Sequence, residues 1–181
     1  MKLVFSWPAL LVSVFLFSPY RFCFADPSDK VAQPPPAMVV ARSLQAGPWE
    51  EAAAKDLAHY LAKMTGSEVA LVHGKPQATA GLTFLVGSLA VELNPQLGER
   101  LRKAQKKEPV FRSDAIVMTN EAGRIYLAGS NDDSHYFAVS AFLHRQGCRW
   151  YLPTAIGECL PKSETLSTEG MDVVYAPPFE V

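Results

Sequence analysis

Two short runs of β-forming residues, 115–119 and 124–129, are separated only by Asn120, Glu121, Ala122 and Gly123. A link this short cannot carry a parallel crossover, which needs about a dozen residues or more. The runs must pair antiparallel, with Gly123 free to take the positive φ of a tight turn. A wholly parallel sheet is therefore excluded. Directly after the hairpin, Asn131 and Asp132 can cap a helix. Tyr136, Val139, Ser140 and Leu143 recur at helical offsets, and Phe137 and Ala141 widen that face, so this helix is expected to be well buried. Gly147 is expected to stop it.

The rest of the chain alternates in the same way. Residues 38–41 read as a strand. Pro48 opens a helix with Glu50 and Glu51 at its positive end, and Ala53, Leu57, Tyr60, Leu61 and Met64 form its apolar stripe. Gly66 ends it. Residues 69–72 and 82–86 read as strands. Asn94 is the expected cap of a second helix, with Pro95 at its first position and Leu97, Leu101 and Ala104 inward. That helix is poorer in apolar residues and is expected nearer the surface. From residue 152 the chain reads as irregular, with a short strand near 173–175. The expected class is α/β, a mixed sheet with an antiparallel hairpin packed by about three helices.

Residues 1–25 read as a signal peptide: Lys2, then the apolar run 3–17, then Cys23-Phe24-Ala25 ahead of cleavage. The run is short for a span of ~20 residues and is interrupted by Pro8. The expectation is an exported protein, periplasmic or secreted, with no stable membrane span after cleavage. Residues 26–37, with Pro34, Pro35 and Pro36, form a proline-rich linker. An α/β domain follows over 38–176, and 177–181 read as the start of a linker to a further, downstream domain. The net charge of -1 gives no basic excess to recruit nucleic acid. Lys103, Lys106 and Lys107 make only a local basic patch. Cys148 and Cys159 remain after cleavage, and in an exported chain they either form one disulfide or stay as two separate thiols.

Chemistry-bearing motifs are sparse. Gly87 alone does not make a dinucleotide turn. No serine stands in a Gly-x-Ser-x-Gly context. His59, His73, His135 and His144 show no recognised metal-ligand spacing, so neither a metal nor a cofactor is implied. Glu158, Asp114, Asp132 and Asp133 are available as carboxylates, but the chain is too short for a barrel of ~250 residues to hold two of them across a glycosidic bond. Asp132 and Asp133 read as capping residues, or as contacts to a cation or sugar hydroxyls. Arg149, Trp150 and Tyr151 are the best binding candidates, because aromatic faces pack on sugar rings and arginine pairs with carboxylates. The competing reading is that Trp150 and Tyr151 lock the strand after the last helix into the core or a domain seam.

Several segments carry a resemblance: Ala53-Ala54-Lys55-Asp56-Leu57, Tyr60-Leu61 and Met64-Thr65-Gly66; Val86-Gly87; Gly123-Arg124-Ile125-Tyr126-Leu127-Ala128-Gly129; Tyr136-Phe137-Ala138-Val139 with Phe142-Leu143; Gly147-Cys148-Arg149-Trp150-Tyr151-Leu152-Pro153; and Gly157-Glu158 with Pro161-Lys162. Together they resemble the non-catalytic N-terminal domain of bacterial β-hexosaminidases and α-glucuronidases, also found ahead of a domain of unknown function in large exported bacterial proteins. The resemblance spans residues 38–181. It implies an α/β accessory unit beside a catalytic TIM barrel that supplies the glycosidase carboxylates, so no catalytic residue is carried over. The family usually has a glycine before the tyrosine of the third helix, where this chain reads Asp132-Asp133-Ser134-His135-Tyr136. The implied partner is a downstream catalytic domain or a glycan. A stand-alone carbohydrate-binding module and a small glycan hydrolase are the alternatives.

Overall fold

The computed structural model describes residues 38–77, 81–108 and 112–178. The expected signal peptide and proline-rich linker, and residues 179–181 of the expected downstream junction, lie outside them. β1 (Met38–Arg42) is buried along its whole length. A strand buried at every position has both faces covered, as in the middle of a sheet with helices on each side. β1 pairs in parallel with β2 (Val69–His73) and with β3 (Leu82–Val86). β3 pairs in parallel with β5 (Arg124–Gly129), β5 antiparallel with β4 (Ile116–Glu121), and β4 antiparallel with β8 (Asp172–Tyr175). The result is a mixed six-stranded sheet ordered β2-β1-β3-β5-β4-β8. The α/β class and the antiparallel hairpin match the expectation from sequence.

Strand alternation divides the core in two. Met38, Val40, Phe84, Val86, Ile125 and Leu127 face α1 (Pro48–Thr65) and α4 (Asp132–Arg145). Ala41, Leu85, Tyr126 and Ala128 face α2 (Ser88–Leu93) and α3 (Gln96–Ala104). Leu57, Leu61 and Phe142 are fully buried on the first side, each stabilising the fold by about 2 kcal/mol. Gly66 closes α1 in the left-handed conformation, its N–H bonded to Ala62 O at 2.9 Å. No helix among the described residues is long and apolar enough to cross a membrane.

The structure corrects four local expectations. α2 is a fourth helix, and its six residues are too few to show a periodic stripe. Asn94 does not cap the next helix. It closes α2, its N–H bonded to Ala90 O at 3.0 Å, and its side chain donates to Glu121 Oε1 at 3.0 Å. The hairpin turn is two residues long, not four: Ala122 (φ 50°) and Gly123 (φ 81°) form it, and Asn120 and Glu121 belong to the β4–β5 ladder. Positive φ at both positions gives the backbone twist of a type I′ turn. On α4, Phe137 is 44% exposed rather than buried. The inward stripe runs through His135, Ala138, Val139 and Phe142, so Phe137 falls outside it, with the Arg112 guanidinium 5.8 Å from its ring centre. In addition, the stretch read as irregular from residue 152 contributes a short strand, β7 (Glu158–Cys159), which pairs antiparallel with β6 (Arg149–Trp150).

Candidate functional site

β1 leads through α1 to β2 on one side, while β3 lies on β1's other side. In open α/β sheets such a reversal leaves a crevice beyond the carboxyl ends of the two strands, where ligands bind. Here a side chain fills it. Glu50, 2% exposed, accepts hydrogen bonds from Ser43 N at 3.1 Å, Ser88 N at 3.2 Å and the Ser88 hydroxyl at 2.8 Å. Ser43 follows β1 and Ser88 follows β3, so one carboxylate joins both strand ends. Gly87 makes this approach feasible, because a Cβ there would overlap the Glu50 side chain.

His135 lies on the other side of the same carboxylate. Its Nδ1 accepts the Gly129 N–H at 2.9 Å, which leaves the proton on Nε2, 3.8 Å from Glu50 Oε2. Burial pushes the His135 pKa below its ordinary value, although the charges of Glu50 and Asp132 pull the other way. In the unfolded chain this imidazole titrates near ~6.5. The folded state therefore resists a proton that the unfolded state accepts. His135 contributes stability that is full above that pH and is lost as pH falls below it, towards the lower folded value. We expect urea midpoints to drop on acidification through this window, and His135→Gln to flatten the drop. An unchanged slope in the variant would exclude His135 as the source.

Serine, histidine and glutamate thus meet, but not as a nucleophilic triad. In a triad the histidine stands between the acid and the serine. In this cluster Glu50 stands between Ser88 and His135, so among the described residues the hydroxyl donates to a carboxylate that also accepts two backbone N–H groups, and not to the imidazole.

The sequence-predicted carboxylates are each engaged internally. Asn131 caps α4, accepting from Ser134 N at 2.9 Å. Asp132 instead caps α1, accepting from Trp49 N at 3.0 Å and Glu50 N at 2.9 Å. Asp133 and Asp114 both pair with Arg112. Burial raises the Asp114 pKa, but hydrogen bonds from Asn131 and Ser134 and the Arg112 charge outweigh it and hold the carboxyl below its usual range. Glu158 accepts from Lys63 Nζ at 3.0 Å and the Tyr60 hydroxyl at 3.1 Å. Among the described residues no three His, Cys, Asp or Glu side chains gather to hold a metal ion.

Arg149, Trp150 and Tyr151 do not converge. Arg149 turns back on α4, donating to His144 O and Cys148 O at 2.7 Å each. Trp150 points the other way, into a groove between α1 and α4. Its indole N–H donates to the Tyr60 hydroxyl at 3.0 Å, its ring meets Tyr60 edge-on at 5.0 Å, and it stacks on His144 at 6.3 Å. Tyr151 is 75% exposed and so lies outside the core. The cysteines are free thiols. Cys159 lies across the ribbon from Arg149 and is exposed, whereas Cys148 is buried with its Sγ 3.2 Å from Met64 Sδ. Strand alternation turns the two side chains to opposite faces, and no disulfide joins them.

Sequence reasoning missed Glu50, Ser88 and His135 as a unit. Glu50 read only as a helix-dipole residue, and the one available signal was a glycine-serine pair at a strand end. No family model matches this chain, and no curated protein matches it.

Proposed function

We propose that this chain is a non-catalytic accessory domain of an exported glycoside-hydrolase-like protein and braces a catalytic barrel. The observation that carries this reading is the β6–β7 loop. Tyr151, Leu152 and Ile156 are 75%, 56% and 93% exposed. The loop is closed by Tyr151 N donating to Gly157 O at 2.9 Å, and Gly157 lies so close to Leu152 that a Cβ there would overlap its backbone. A tight loop that holds large apolar side chains out to solvent has the character of a contact surface. The internal engagement of Asp114, Asp132, Asp133 and Glu158 supports a role without turnover. The sequence resemblance supplies the partner class, a catalytic barrel of the β-hexosaminidase or α-glucuronidase type.

The test is an immunoblot of the native exported polypeptide beside activity assays of the purified chain. The expected result is a species much longer than this chain, and no sugar release by the chain from aryl glycosides or glucuronic-acid-bearing oligosaccharides. A native species no longer than this chain overturns the bracing role. Sugar release that survives purification and is abolished by a single carboxylate substitution overturns the non-catalytic one.

A further inference from the structure

The groove that receives Trp150 has a second property. Asp56 and Tyr60 stand one helical turn apart on α1, and Tyr136, Ser140 and Leu143 share the facing side of α4. With Trp150 they line a cavity of about 280 Å³. Tyr136 donates its hydroxyl to Asp56 Oδ2 at 2.5 Å. Burial, and then Asp56, raise the Tyr136 pKa, so the phenol stays protonated and keeps this bond. No hydrogen bond or ion pair from the described residues takes the other carboxylate oxygen, Asp56 Oδ1, or the Ser140 hydroxyl. The groove therefore combines three aromatic rings with one open acceptor and one hydroxyl able to give or accept.

We propose that this α1–α4 groove binds a pyranose bearing hydroxyl or ammonium donors and no carboxylate. The C–H faces of a sugar ring suit aromatic walls, and its equatorial donors suit Asp56 Oδ1 and Ser140 Oγ. No cation among the described residues pairs with Asp56, so a donor group on the ligand gains a charge-assisted bond. A uronic acid would instead bring a second carboxylate against the first. This site uses Trp150 but neither Arg149 nor Tyr151, and it does not depend on the bracing role.

The test follows the Trp150 indole N–H of the exported chain by NMR, assigned with Trp49→Phe, during titration with glucose, N-acetylglucosamine, glucosamine, glucuronate and tetramethylammonium. Saturable shifts are expected with the first three sugars, and binding of glucuronate and tetramethylammonium at least about tenfold weaker, the scale of one charged hydrogen bond. Asp56→Asn keeps an acceptor for Tyr136 and should weaken sugar binding about tenfold or more. Ser140→Ala, which leaves the Tyr136–Asp56 bond intact, should weaken it about threefold and serves if the first variant is unfolded. The proposal is overturned by the absence of a saturable shift with every sugar, by glucuronate or tetramethylammonium binding as well as the neutral sugars, or by affinity unchanged in both variants. None of these outcomes touches the exposed loop on which the accessory role rests.

Discussion

Gly129→Ala should destabilise the domain by about 3 kcal/mol or more, at the upper end of what overpacking costs. Gly129 ends β5, and a Cβ there would overlap the backbone carbonyl and the Cβ of Ser134 in the first turn of α4. Those atoms belong to a helix start fixed by Asn131 and by the Ser134–Asp114 bond at 2.9 Å, so they cannot yield without losing the cap. The Gly129 N–H also donates to His135, and any retreat of the strand breaks that bond. The effect is local to one methyl group, which makes it sharp. Urea unfolding of Gly129→Ala beside Gly123→Ala separates crowding from backbone conformation, because a Cβ at Gly123 meets open space and only its φ of 81° is unfavourable. A Gly129 variant no less stable than the Gly123 one would refute the crowding argument.

Glu50→Ala should cost about 2–4 kcal/mol, a large part of the ~5–15 kcal/mol that holds a typical domain together. The substitution strips the Ser43 and Ser88 N–H groups of the buried carboxylate that accepts from them, and an orphaned donor costs up to about 1–3 kcal/mol, less where water reaches it, as at the exposed Ser88. Glu50→Gln retains one acceptor oxygen and should recover part of the loss. Thermal melts of the two variants settle the order. If alanine is tolerated as well as glutamine, the carboxylate is not what joins the ends of β1 and β3.

These residues also mark how far the sequence could be read. The strands were legible because β1, β3 and β5 are buried on both faces and read as continuous apolar runs, and because Gly66 and Gly147 stop their helices where expected. α1 was legible from Ala53, Leu57, Leu61 and Met64, which all reach the core. What stayed hidden depends on neighbours distant in the chain. Asp132 looked like the cap of its own helix, yet its partners are Trp49 and Glu50, more than eighty residues earlier. Phe137 looked buried because it flanks an apolar face, but the face of α4 turned to the sheet carries His135, Ala138, Val139 and Phe142. Glu50 looked only like a charge suited to the positive end of a helix. Its burial follows from the strand order, which no local pattern encodes.

The Asp132 contact couples two helices that meet the sheet at separate strands. Its carboxylate is covalently part of α4, and the amides it holds are the first of α1. Fraying α4 at its start withdraws the acceptor, and lifting α1 leaves that carboxylate without its donors. Helix ends ordinarily open one at a time and at little free energy, whereas a shared carboxylate makes these two starts open as one cooperative unit. Amide hydrogen exchange at Trp49 and Glu50 should thus track exchange in the first turn of α4. Slow opening at these two helix starts would then be shared between them.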